Sequence, residues 1–384
     1  MYVTRPLSMY KRNPAALSQA TPPGPNSGYL VILDEEAETY NCFGCKDYVI
    51  KNLPLPQNKN LTVNYSTGNS SVNDDALFVP VLDQPLSSNR YYVIRRKGKH
   101  RGKAITSSKE EDMETCLCCT FVQDVKPRPF DLSDEYQQVE VIKRSHGFHA
   151  KSVAQDGVLP DFLRRKGWVI HAHSNHDYHL DQALGINESL RSQLPDFNCP
   201  LSNNQSESVV VGKWYCPFMF VKEGMILKDQ MKKSVFYKLT LEQRWEKIFS
   251  RENNSSGEDS VFIDVVIQTE VVRVGGREAV WDENSVEERV LWFKSFEEVG
   301  AETGVGLSLE IVERMKWEQE RDGWIGGNER QVRLERVEEF EGHNKWKNFG
   351  CYVLVESFVL RRMDGKVVLT YDYKHTHQIR CKWE

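Results

Sequence analysis

Apolar and polar residues alternate along most of this chain with the period of two that marks strands, and runs with helical spacing are few. Tyr29–Leu33, Ala76–Leu82, Trp168–His173, Val209–Val221 and Ser234–Leu239 read as strands. Arg90–Arg96 and His100–Ile105 flank Lys97-Gly98 as a basic hairpin. Val261–Val272 and Arg277–Trp281 form another across Gly275-Gly276, and Cys351–Leu360 joins Lys366–Trp383 across Asp364-Gly365. Helices are expected at Pro160–Lys166, Leu180–Leu194, from Leu241 to about residue 251, and at Leu307–Arg321. The third rests on a capping box, Thr240 to Gln243, followed by Leu241, Trp245, Ile248 and Phe249 at i, i+4, i+7 and i+8. The pattern therefore predicts an α+β fold, predominantly antiparallel β-sheets with about four helices. The polar stretch 195–208 divides it into a strand-rich half, 1–200, and a second strand-rich half, 209–384, which holds the helices near 241–251 and 307–321. One continuous unit is the alternative. No repeat of fixed period is present.

Composition narrows the class without naming a function. Of 384 residues, 40% are hydrophobic and nine are tryptophans, enough for a real core. The net charge of −5 gives no general attraction to nucleic acid or to an anionic membrane. Arg5, Pro6, Lys11, Arg12 and Pro14 interrupt any apolar run at the start of the chain, and no stretch reaches the ~18 apolar residues of a membrane span. Nine cysteines, odd in number and irregular in spacing, suit reduced thiols. A soluble cytoplasmic protein is the expectation, with the nucleus also open to it.

The segments MYVTRPLSMYKRNP, GPNSGYLVILDEE, YYVIRRKGKHRGKA, DVKPRPFD, LPDFLRRKGW and LTLEQRW resemble a plant-specific uncharacterised family, domain of unknown function 1262, nearly end to end. The resemblance implies a plant protein that forms one family unit. It supplies no activity, cofactor or catalytic residue, and a part in stress or defence would follow from plant restriction alone.

Three groupings carry candidate chemistry. Six of the ten histidines lie between His146 and His179, and His171, His173, His176 and His179 are the candidate ligands of a transition metal, zinc above all, with Asp177 and Asp181 nearby. His171 and His173 share a strand face, but no HExxH motif accompanies them. Cys42 and Cys45, with Cys116, Cys118 and Cys119, could form a tetrahedral thiolate site, although the two groups lie about 70 residues apart where a zinc ribbon needs 15–20. Arg95, Arg96, Lys97, Lys99, Arg101 and Lys103 form a basic run that could hold phosphate or a lipid headgroup, or serve only to solvate an edge. Gly98–Lys103 lacks the spacing and the hydroxyl of a phosphate loop, and no nucleophile elbow, kinase set or EF-hand is present.

The reading that follows is a non-enzymatic binding or regulatory protein, taking a protein partner or a small anionic ligand and needing no cofactor. A metal-dependent enzyme on the histidine cluster and a peripheral anion or lipid binder through the basic hairpin are the alternatives.

Overall fold

Strands dominate this protein. Its computed structural model describes residues 1–40, 46–66, 70–116, 119–253, 259–296, 302–342 and 345–384. The chain divides into two compact units, Met1–Ala183 with Tyr215–Tyr237, and Leu184–Trp214 with Lys238–Glu384. It leaves the second within the strand Val209–Pro217 and returns within the strand Phe236–Glu252.

The first unit is built on a seven-stranded sheet in which every neighbouring pair is antiparallel. Its order is Phe148–Ser152, Gln138–Lys143, Arg90–Arg95, Ser71–Pro80, Asn60–Ser66, Val169–His173 and Val49–Ile50. Alternate residues of these strands supply one core: Val63, Phe78, Val93, Val139, Val141 and Ile170, with Trp168 and Leu163 packed among them. Period-two sequences bury one face in this way. Beside the sheet, Tyr2–Pro6 runs parallel to Gly28–Ile32. The approach is so close that a Cβ on Gly28 would lie 2.6 Å from the Tyr2 ring.

In the second unit the sheet order is Val209–Pro217, Phe236–Glu252, Asn348–Arg362, Val367–Trp383, Glu270–Val274 and Arg277–Glu278. The long hairpin turns at Asp364-Gly365, with Gly365 at φ +89°, a left-handed conformation that glycine adopts without strain. Ser260–Gln268 pairs with Gln331–Glu339 in a separate ribbon, and Val290–Phe296 with Glu302–Ser308 in another sheet.

The α+β assignment is corrected by this architecture: the protein is β-rich, and only Leu309–Glu320, among the described residues, is a helix of more than two turns. The expected helix from Leu241 is instead part of the Phe236–Glu252 strand. Leu239, Leu241, Gln243 and Trp245 are at most 1% exposed while Glu242, Arg244 and Glu246 stay half-buried, so period two governs. Thr240 caps nothing; its hydroxyl donates to Glu242 Oε1 at 2.9 Å. Sheet pairing on both flanks outweighs a local helical pattern. The expected helix Leu180–Leu194 shrinks to Glu188–Gln193, preceded by a short strand at Gly185–Ile186. Asp161–Arg164 and Leu309–Glu320 stand where helices were expected.

Candidate functional site

Polar chemistry coincides with enclosure in a cavity of the first unit and with burial in a charge cluster of the second. In the first unit, the helix Leu7–Arg12, the 3-10 turn Pro14–Ser18 and the edge strand Val49–Ile50 border a cavity of about 620 Å³. Leu17, Leu33, Val49, Ile50, Leu53 and Ala172 make its wall largely apolar. Four lysines also line it. Lys51 is neutralised by Asp47 at 2.8 Å, and Lys59 by Glu38 at 3.3 Å. The hydrogen bond from Lys51, then that from the Val49 N–H, holds the Asp47 carboxyl below its ordinary pKa. Lys11 donates to the Ala37 carbonyl at 2.6 Å and Lys143 to the Asn52 side-chain oxygen, so their bonds are to neutral oxygens. The cavity wall therefore carries two cations beyond its acids.

In the second unit, a charge cluster is buried around Arg191. The helix Glu188–Gln193 brings Arg191 in, 2% exposed, to meet Glu356, fully buried in the centre of the Asn348–Arg362 strand. Arg191 Nε and Nη2 donate to the two Glu356 oxygens at 2.8 and 2.5 Å, and Gln243 Nε2 donates to Oε1 at 2.8 Å. Arg191 Nε also lies 3.2 Å from Asp322, and Nη1 3.5 Å from buried Glu318, which Arg314 reaches at 2.9 Å. Burial works to raise the Glu356 pKa. The adjacent His375 and the Arg191 guanidinium more than offset it, leaving the group at about 2. For Asp322 burial prevails: desolvation raises its pKa, Arg191 lowers it, and neighbouring Glu356 raises it again.

His375 completes the cluster. It is fully buried, and Nε2 lies 2.9 Å from Gln319 Oε1 and 3.7 Å from Glu356. Its Nδ1 has no hydrogen bond within the protein. A shift of register between Val353 and Leu354 places His375 opposite Leu354, while Ile379 stands opposite Val353. Across that bulge His375 takes the face opposite to the one that Ile379 and Cys381 share.

Asp322, Glu356 and His375 offer ligand atoms within 4.8 Å of one another, the one such grouping of three found among the described residues. The Arg191 guanidinium already contacts both carboxylates, however. A divalent ion there would share its ligands with a buried positive charge. The arrangement reads as an ion-pair network around a resident cation.

Among the described residues, no three of the metal-ligand candidates taken from the sequence come together. His171 and His173 do share a strand face, with rings 6.3 Å apart, and His173 stacks on Tyr48 at 6.1 Å. His173, His176 and His179 are exposed, and none of the four belongs to the grouping of three ligand donors. Asp177 is engaged by Arg96 at 2.9 Å, and Asp181 by the Tyr215 hydroxyl. Cys42, Cys45 and Cys118 lie outside the described residues. Cys116 and Cys119 are Cα partners across the Met113–Cys116 and Cys119–Val122 ribbon. In the basic segment Arg95, Arg96 and Lys97 pair with Asp74, Asp177 and Asp75, whereas Lys99, Arg101 and Lys103 make no such pair among the described residues. Arg90–Arg95 is an inner strand of its sheet, so edge protection does not explain its charge.

Sequence reasoning missed Arg191, Glu318 and Glu356. Glu356 had a signal: it is the single charged residue in the run Tyr352-Val-Leu-Val-Glu-Ser-Phe-Val-Leu360. Arg191 had none, because its partners come from distant elements.

Residues 23–120 match the family model described as "Protein of unknown function (DUF1262)". The DUF1262 match spans about a quarter of the chain, lies within the first unit, and includes much of the cavity wall, from Leu33 through Lys59. No curated protein matches. Among solved structures, the crystal structure of Cry35Ab1 is similar over 86% of this chain and 90% of its own, at 10% identity and a TM-score of 0.46. At that level of similarity nothing transfers. No helix among the described residues is long and apolar enough to cross a membrane.

Proposed function

We propose that this chain is a non-enzymatic binding protein of the plant cytosol whose ligand is a small amphipathic molecule with an apolar body and an anionic head. The observation that carries this reading is the cavity of about 620 Å³ in the first unit, apolar in its wall, with Lys11 and Lys143 bonded to neutral oxygens. Ligand sites are commonly ~300–1,000 Å³, mainly apolar, with a few polar groups that fix orientation. An anionic head would gain charge-assisted bonds to the two ammonium groups, and burial of the apolar body would supply the remaining affinity.

The test uses 8-anilinonaphthalene-1-sulfonate, which has apolar rings and one sulfonate. Saturable one-to-one fluorescence enhancement is expected. It should weaken at least tenfold in a Lys11→Glu, Lys143→Glu variant, and disappear when Ala172→Phe fills the wall. Enhancement indifferent to both changes, in variants with wild-type circular dichroism, would locate binding elsewhere and end the reading.

A further inference from the structure

We propose that Cys351 and Cys381 form an oxidisable dithiol, a modification site that takes a hydroperoxide-class two-electron oxidant and becomes a reversible cross-strand disulfide. The two residues are direct Cα partners on neighbouring antiparallel strands, Asn348–Arg362 and Val367–Trp383. Directly opposed residues in such a ladder have Cα atoms ~4.5 or ~5.5 Å apart, according to their place in the hydrogen-bond pattern. Both values fall within the ~4.4–6.8 Å that a disulfide spans. No movement of the backbone from one register to another is needed.

Both thiols are free, and they face one cluster with Trp346 and Phe349, against which Cys381 and Trp383 pack. The contact between the two thiols lowers the Cys351 pKa and raises that of Cys381, and burial raises both. Cys351 is fully buried, whereas Cys381 is half-buried, so solvent reaches the pair through Cys381.

The chemistry balances with one hydroperoxide molecule. The Cys381 sulfur, the one that solvent reaches, attacks one peroxide oxygen and gives its S–H proton to the departing oxygen. The O–O bond breaks, leaving Cys381 sulfenic acid and one water or alcohol. Cys351 then attacks the Cys381 sulfur, the S–O bond breaks, and the departing hydroxide takes the Cys351 proton and leaves as water. Two thiols are oxidised by two electrons and one peroxide is reduced. A thiol reductant reverses the change. The resolving thiol at ladder distance intercepts the sulfenic acid and limits its further oxidation.

The experiment treats the native full chain with hydrogen peroxide, blocks remaining thiols with N-ethylmaleimide, and maps peptides by mass. The expected result is a Cys351–Cys381 linked pair, a whole-protein mass lower by two hydrogens, a raised thermal midpoint, and reversal of all three by dithiothreitol. Cys381→Ser, at the half-buried position where folding is less at risk, should abolish the link while retaining wild-type circular dichroism. Alkylation of both residues after treatment would overturn the proposal. So would sulfinic acid on Cys381 with Cys351 still alkylated, or a link from either cysteine to any of the other seven.

Discussion

Removing Arg191 should be far more costly than removing Arg191 and Glu356 together. In Arg191→Met, Glu356 loses both guanidinium bonds, of 2.8 and 2.5 Å, and retains Gln243 at 2.8 Å, with His375 3.7 Å away. Glu356 is fully buried, so a nearly unpaired carboxylate stays in the core. Breaking a buried pair on one side typically costs about 3–5 kcal/mol. With an m-value of roughly 2–3 kcal/mol/M, the urea midpoint should fall by about 1–2 M. In Arg191→Met, Glu356→Leu, both charges leave and similar volume returns. Glu318 still has Arg314 at 2.9 Å and Arg321 at 2.6 Å, and Gln243 still donates to the residue-191 carbonyl. The double variant should lie within about 1 kcal/mol of wild type. The pH dependence gives an independent reading. Glu356 has a pKa of about 2 when folded against 4.5 for the ordinary group. A depressed carboxylate stabilises the folded state above the unfolded pKa, and that contribution fades as pH falls from about 4.5 toward 2. Its size is about 3 kcal/mol, at 1.36 kcal/mol per unit. The stability difference between wild type and Glu356→Gln, followed by urea titration with circular dichroism, should therefore be largest at pH 7 and close to nil near pH 2. Equal losses in single and double variants, or a difference that ignores pH, would refute the reasoning that the cost of Arg191→Met lies in a buried carboxylate left without its partner.

Trp245→Ala should cost about 4–5 kcal/mol. It leaves a cavity beside Phe197, whose ring lies 5.5 Å away, and removes a buried hydrogen bond from Nε1 to the Pro195 carbonyl at 2.9 Å. An unchanged denaturation midpoint would contradict the packing. Gly147→Ala should lose about 2 kcal/mol, because Gly147 has φ +71° and a Cβ would lie 2.5 Å from the Trp168 carbonyl oxygen. A neutral effect in thermal melts would show that the turn can relax. Chelation should leave the thermal midpoint unchanged, since Arg191 already occupies the space between Glu356 and Asp322. One equivalent of zinc in purified protein, lost in His375→Ala, would show the reverse.

The buried site was only partly legible in the sequence. A glutamate inside an apolar run announces a buried charge, since such a residue persists only when paired. It does not say that the partner is Arg191, 165 positions away. The histidine-rich segment drew attention because ligands were close in sequence. On an extended strand and the loop after it, closeness in sequence does not bring imidazoles to one point. The cavity had no local signature, because its wall is assembled from residues between Leu7 and Ser174.

Sequence by itself determined the elements whose cause is local. Asp364-Gly365 turns the chain because glycine accepts φ +89°, and period-two runs such as Val169–His173 bury one face wherever they pair. Tertiary structure decided the rest. Residues 241–249 satisfy a helical stripe and a strand alternation at once, and local energies of a few tenths of a kcal/mol per residue do not separate them. Pairing with long neighbouring strands does, because it satisfies every backbone group and buries Leu241, Gln243 and Trp245 together. The same long-range pairing sets Cys351 opposite Cys381 and moves His375 off their alternation through one bulge. Register is a property of two strands jointly, so neither strand's sequence states it alone.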